Sequence, residues 1–270
     1  SVDDTAATIQ VSVDGQTVAA TNNGNGTWSL DDNWLALLAE GTFDVAVTAI
    51  DLAGNSGSDA TTNELSVDLT APATPSAPTL DAASDSGTND DDNITSVTTP
   101  TVSGTAEANS AVELFEGATS LGTTIADVAG DWSITSSVLA DGDHTLTAVA
   151  TDAAGNTGAT STGLVITVDT TVPISPPELD LVSFSDTGRS TDDDITSATT
   201  LAVAGNAETN NRVEILLDGI VVATVVADNA GNWGTNIEIQ ADADYLVTAR
   251  QSDPAGNGPG PIAAPLLITV

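Results

Sequence analysis

The feature that most constrains this chain is an internal period. The string Asp-x-Ala-Gly-Asn occurs as Asp51 to Asn55, Asp152 to Asn156 and Asp253 to Asn257, with successive Asp residues 101 positions apart. Trp follows nearly the same beat, in Gly26-Thr27-Trp28, Gly130-Asp131-Trp132 and Gly231-Asn232-Trp233. Two longer anchors repeat as well: Val67 to Pro72 matches Val168 to Pro173, and the acid cluster Asp85 to Thr95 matches Asp186 to Thr196. Self-similarity at a fixed spacing marks a tandem array, and cutting after the linker Asp gives repeats 1–68, 69–169 and 170–270. The first repeat begins at a point equivalent to about Ala106 of the second. It therefore lacks the opening strand and the acid cluster of its siblings, and the chain reads as a fragment of a longer array.

Within a repeat the apolar residues alternate with a period near two. Val112-Glu113-Leu114-Phe115, Thr145 to Ala150 and Val213 to Leu216 show the pattern of strands buried on one face. Turn residues such as Asp14-Gly15, Glu116-Gly117 and Asp218-Gly219 separate these runs at the close, regular intervals of an antiparallel sandwich. In the second repeat the spacing predicts seven strands, near 78–83, 97–106, 110–115, 119–126, 132–138, 144–151 and 163–168. The expected fold is all-β: tandem seven-stranded immunoglobulin-like β-sandwiches arranged end to end as a rod, the first one incomplete. Each repeated Trp opens an apolar strand and is expected to anchor a core. His144 starts a strand beside Asp143 and reads as structural.

A resemblance rests on Gly130-Asp131-Trp132-Ser133, Leu139 to Thr145, Ala150 to Asn156 and Val168 to Pro173. With these motifs the whole chain resembles the tandem bacterial immunoglobulin-like repeats of giant surface adhesins secreted by the type I pathway. The resemblance implies an extracellular location on a bacterial surface, a part in adhesion and biofilm, and extender rods that bind calcium near domain junctions. The third repeat departs from the motif at Arg250-Gln251-Ser252, just before Asp253.

Composition excludes several other functions. The chain has 39 Asp and Glu against 3 Lys and Arg, a formal net charge of -36, so it has no basic patch for nucleic acid or an anionic membrane. With 40% apolar residues a folded core is nevertheless accessible. No apolar stretch reaches the length of a membrane span. Zero Cys removes disulfides and thiol nucleophiles, and a single His removes multi-histidine metal sites. No catalytic set is visible, so neither an enzyme nor a small-molecule substrate is expected.

What remains is oxygen chemistry. Alternating strand directions put the acid loop of one repeat beside the linker Asp and the top loops of the next. At the second junction this gathers Asp85, Asp90, Asp91 and Asp92, then Asp169, then Glu208, Asp253 and Asn257. The corresponding residues elsewhere are Asp51, Asp68, Glu107, Asp152 and Asn156, and, at the far end of the third repeat, Asp186, Asp192, Asp193 and Asp194. Two like charges 4 Å apart repel by about 4 kcal/mol at an effective dielectric of 20. Calcium reverses the sign by taking six to eight oxygen ligands in a tolerant geometry. The competing readings are a solvated loop for the acid cluster and a self-capped turn for Asp-x-Ala-Gly-Asn. The function expected is a calcium-stiffened extender whose partners are the neighbouring repeats of the same chain. The alternative is a glycan- or protein-binding module within the same adhesin.

Overall fold

The computed structural model describes residues 5–31, 35–59, 61–190, 193–240 and 243–270. All regular structure in these residues is β. The chain divides into two units, residues 1–73 with 151–158, and residues 74–150 with 159–270.

The first unit holds β1 (Thr8–Val13), β2 (Gln16–Asn22), β3 (Trp28–Ser29), β4 (Gly41–Phe43), β5 (Val45–Ile50), β6 (Ser56–Ser58) and β7 (Leu65–Val67). Five of these form one sheet in the order β3-β2-β1-β5-β6, and β4 pairs with β7. Ile9, Val11 and Val13 alternate along β1 and supply its buried side chains.

The second unit contains two sandwiches. The first is built from β8 (Thr79–Leu80), β9 (Ile94–Thr95), β10 (Thr101–Thr105), β11 (Ala111–Glu116), β12 (Thr119–Ile125), β13 (Asp131–Thr135), β14 (Gly142–Thr151) and β15 (Leu164–Val168). Sheets β13-β10-β8 and β12-β11-β14-β15-β9 enclose a core of Val102, Val112, Leu114, Trp132, Leu146 and Ile166 among others. The next is built from β16 (Asp180–Leu181), β17 (Thr200–Asn206), β18 (Arg212–Leu217), β19 (Ile220–Val226), β20 (Asn232–Glu238), β21 (Asp244–Ser252) and β22 (Leu266–Thr269). Its sheets run β16-β17-β20 and β19-β18-β21-β22, around Leu201, Val213, Ile215, Trp233 and Ile268.

Each of the seven strands expected for the second repeat corresponds to an observed one. The addition is β9, which follows the acid cluster and pairs in parallel with β15. Its counterpart in the third repeat is a single parallel bridge, Ile195 to Thr269. Two residues of parallel pairing leave no periodic signal, which is why the sequence pattern does not show it.

Trp132 and Trp233 are buried, at 3% and 5% exposure, but Trp28 is 36% exposed, so the expectation of a core anchor fails at the first repeat. The cause lies in the neighbouring strand. Trp132 sits opposite Gly104 on β10, and Trp233 opposite Gly205 on β17. A Cβ on Gly104 would lie 2.7 Å from the Trp132 ring, so glycine is the floor that lets the indole lie flat on the sheet. The first repeat has no counterpart of β10 among the described residues, and β3 pairs with β2 instead. Trp132→Ala should therefore destabilise its sandwich by about 3–5 kcal/mol, as loss of a buried aromatic does. Trp28→Ala should be close to neutral. Urea denaturation followed by the amide signals of the first repeat and of the second separates the cases, and equal costs would contradict this account.

His144, the only histidine, has Nδ1 2.7 Å from Glu116 Oε1 and Nε2 2.8 Å from the Ala140 carbonyl. Both partners only accept, so both bonds form only when the imidazole is protonated. Desolvation opposes that charge, but the Ala140 carbonyl and the Glu116 carboxylate, with Asp143 nearby, outweigh it and hold the pKa above the usual 6.5. A raised folded pKa gives stability that is complete below 6.5 and is lost as pH rises through the folded value. With no Cys and one His, this is the one side chain whose ordinary pKa lies near neutrality. The third repeat has Tyr245 in its place, bonded to the backbone of Gln240. The melting temperature of the second repeat's sandwich should fall as pH rises through neutrality, and His144→Tyr should flatten that slope. A flat wild-type profile would show that the imidazole stays neutral.

Candidate functional site

The Asp-x-Ala-Gly-Asn segments are closed turns. In Asp51 to Asn55, Asp51 Oδ1 accepts from the Ala53 and Asn55 amides at 2.8 Å each, and Oδ2 accepts from the Asn55 side chain at 2.7 Å. Asp152 and Asn156 repeat the arrangement, and Asp253 and Asn257 share its amide and side-chain bonds. Gly54, Gly155 and Gly256 take the positive φ that the turn requires. The side chains of Asn55 and Asn156 foremost hold the Asp51 and Asp152 carboxyls below the ordinary range. The same turn is built a second time per sandwich, at Asp127 to Asp131 and Asp228 to Asn232, just before the buried Trp. Asp228-Asn229-Ala230-Gly231-Asn232 is a further instance of the string itself.

The turn Asn has a second task. Asn257 Nδ2 donates to the carbonyl of linker residue Asp169 at 2.7 Å, and Asn156 Nδ2 donates to that of Asp68 at 3.0 Å. The linker Asp side chains are turned to their own backbone, Asp68 Oδ1 accepting from Thr70 N and Asp169 Oδ1 from Thr171 N. An acid at the end of the preceding strands grips the linker threonines. Asp141 accepts from Thr170 and Thr171, and Glu40 Oε2 from Thr70 Oγ1 at 2.6 Å. The Thr170 hydroxyl is foremost in lowering the Asp141 pKa. Asp141 and Glu40 stand 101 positions apart, a signal the period contained but the acid clusters obscured.

At the second junction Asp169, Glu208 and Asp253 line one cavity of ≈ 340 Å³, with Thr171 and Asn211. The acid loop Asp85 to Asp92 reaches the same Asp253 turn from another side, where Thr88, Asn89, Asp92, Asn210 and Pro254 line a cavity of ≈ 290 Å³. One gathered cluster was the expectation from topology; the structure divides it around the turn. Ser86 Oγ donates to the Ala255 carbonyl at 2.6 Å, and a Cβ at Gly87 would collide with the Pro254 carbonyl. Gln251, fully buried, accepts from Glu208 N and Asn211 Nδ2 and donates to the linker carbonyl of Ser175. It is one of the three residues, Arg250 to Ser252, by which the third repeat departs from the motif, and Ala150 holds its place in the second.

Hydrogen bonds pin the described bases of both acid loops. Buried Thr95 donates to the Ser84 carbonyl, and buried Thr196 to that of Ser185. At the base of each loop lies a buried carboxylate, Asp85 at 7% exposure and Asp186 at 3%. Asp85 Oδ2 accepts from Asn93 N, and Asp186 Oδ2 from Asp193 N and Asp194 N. The other oxygen, Oδ1, is buried without a hydrogen-bond partner in both. Desolvation, with Asp92, Asp90 and Asp91 adding their charge, pushes the Asp85 pKa up. Asp194 is raised by desolvation and by Asp180, Asp186 and Asp193. Asp180, Asp186 and Asp194 line a cavity of ≈ 760 Å³ with Glu178. Asp90, Asp91 and Asp193 are exposed, Asp92 is half-buried and bonded to Ile94 N, and Glu107 is exposed. Asp192 lies outside the described residues. Among the described residues no three His, Asp or Glu side chains converge closely enough to hold an ion as they stand.

No curated protein matches the chain in sequence. Among solved structures it is similar to a Ca2+-stabilized adhesin that helps an Antarctic bacterium reach out and bind ice, with 26% identity and a TM-score of 0.43. That alignment covers 99% of this chain and 65% of the other, so the chain spans just under two thirds of that relative. It is also similar to a 1.5-MDa bacterial ice-binding adhesin, with 23% identity over 97% of this chain and 85% of the other and a TM-score of 0.34. A third similarity, 17% identity and a TM-score of 0.39 over 71% of this chain and 91% of the other, is to fibronectin(III)-like modules of Clostridium thermocellum CbhA. The family pattern of the bacterial Ig-like domain matches residues 1–69, 70–170 and 173–263. The chain therefore belongs to the bacterial Ig-like domain family, in three consecutive copies.

Proposed function

We propose that this chain is a calcium-stiffened extender segment of a bacterial surface adhesin, extracellular, projecting a distal ligand-binding region away from the cell. The observation that carries the reading is the pair of buried, unpartnered oxygens, Asp85 Oδ1 and Asp186 Oδ1, at the same place in two repeats. A buried carboxylate without a counter-charge is costly. A hard cation relieves that cost, and these loops offer only oxygen donors, the chemistry calcium prefers. Asp85, Asp92 and nearby loop oxygens would hold one ion beside the second junction. Asp169, Glu208 and Asp253 would hold another in the linker cavity. When bound, calcium supplies the positive charge that lets acids from two repeats share one position. Asn257, Asp141 and Gln251 fix the linker so that the acids are presented in register. In a tandem array each repeat packs on its neighbours alone, so reach would grow with repeat number.

A second reading, a glycan-binding module, has one specific observation in its favour. Trp28 presents its indole in the first repeat while its counterparts are buried.

Calorimetric titration with calcium tests the main reading. The wild type should bind calcium and melt at a higher temperature in it, since an ion at about 100 times its Kd adds about 2.7 kcal/mol to the fold that binds it. Asp85→Asn should reduce both the binding stoichiometry and the rise in melting temperature of the second repeat's sandwich. Absence of binding heat, with identical melting in calcium and chelator, would leave the acid loops as solvated surface.

A further inference from the structure

We propose that the cavity beside strand β16 of the third repeat binds a linear aliphatic polyamine, whose ammonium groups pair with Glu178, Asp180, Asp186 and Asp194. The cavity measures ≈ 760 Å³, more than twice the ≈ 340 Å³ of the linker cavity and within the range of small-molecule sites. Its acids come from separate places in the fold. Glu178 and Asp180 lie just before and on β16, Asp186 at the base of the acid loop, and Asp194 where that loop ends. Asp180 and Asp194 stand where the second repeat has Thr79 and Asn93. The backbone is the same in the two repeats, with Asp194 at φ 57 and Asn93 at φ 60, so what the third repeat adds is charge.

That charge has no counterpart of opposite sign in the cavity wall. No Lys or Arg is among the described residues that line it. Desolvation foremost, then the carboxylates of Asp180 and Asp186, push the Asp194 pKa up, so these acids act on one another. Asp186 is 3% exposed, and its Oδ1 is buried without a hydrogen-bond partner. A buried carboxylate oxygen in that state is relieved by a positive donor.

The form of the cation follows from the spacing of the acids. A single hard ion gathers its oxygens round one point, and no three of the described acids converge that closely. The carboxylates are spread through the cavity instead, and Leu179, Leu181, Val182 and Ala204 share its lining. A chain of methylenes bearing ammonium groups at intervals meets both features. Each ammonium is a compact charge with three donors, and the methylenes lie against the aliphatic side chains. Calcium and a polyamine would be alternative counter-charges for Asp186, so the test belongs in calcium-free buffer, where its result does not depend on the calcium reading.

Isothermal titration of the whole chain with spermidine and with butylamine tests this. The expected result is one saturable site for spermidine. Butylamine, which has the length and single charge of a lysine side chain, should bind about tenfold or more weakly. Asp180→Thr combined with Asp194→Asn places the second repeat's residues on the same backbone and should weaken spermidine binding by about tenfold or more. Asp90→Asn combined with Asp91→Asn removes the same charge from an exposed loop of the second repeat and should leave that binding unchanged. A second measurement needs no variant: spermidine should shift the amide resonances of Leu181 and Ala204 and the indole resonance of Trp233, all of which line the cavity. Absence of a saturable site, butylamine binding as tight as that of spermidine, equal weakening by the two double variants, or resonance shifts confined to other loops would each overturn the proposal.

Discussion

With 39 carboxylates and 3 basic side chains, this chain cannot neutralise its acids with cations of its own. The fold meets that constraint first with backbone amides. Asp51, Asp127, Asp152, Asp228 and Asp253 each accept main-chain N–H groups within a turn of their own. Charge-assisted bonds of this kind are among the stronger ones available to an exposed acid. They leave the turn rigid enough for its Asn to hold the carbonyl of a linker Asp. The tie between one repeat and the linker before it therefore depends on a carboxylate being satisfied locally. The acids that amides do not fully satisfy, Asp85 and Asp186, sit where the loops are buried, and there an external cation has most to offer.

Much of this was legible in the sequence because repetition exposes it. The 101-residue period located the turns, the linker acids, the acid loops and the Trp strands, and alternation located the strands of the second repeat. What the sequence hid were relations between side chain and backbone. Nothing in the string Asp-x-Ala-Gly-Asn says that its Asn will reach a carbonyl 88 residues earlier. Gln251 looked like a defect in the motif, yet it is a buried bridge between the linker and the Glu208 loop. The division of the acids around the Asp253 turn depends on Gly87 approaching Pro254 closely, which spacing along the chain does not encode.

The repeats share a plan but not the same use of it. Trp28 keeps its place in the period and loses its burial, because the strand that carries the glycine opposite it has no counterpart among the described residues of that repeat. One position holds His144 in the second repeat and Tyr245 in the third, each gripping the backbone of the preceding turn, but only His144 must take up a proton to form both of its bonds. Differences of this kind are where a tandem array acquires properties that a single repeat lacks.

In the proposed role, calcium consolidates a joint whose sandwiches fold without it. The most direct measurement is the distribution of distances between spin labels at Ser133→Cys in the second repeat and Asn236→Cys in the third, both exposed positions in a chain with no other Cys. In calcium the account predicts a narrow distribution. After chelation it predicts a broader one, with the thermal transitions of both sandwiches retained. Equal widths in the two conditions would contradict it.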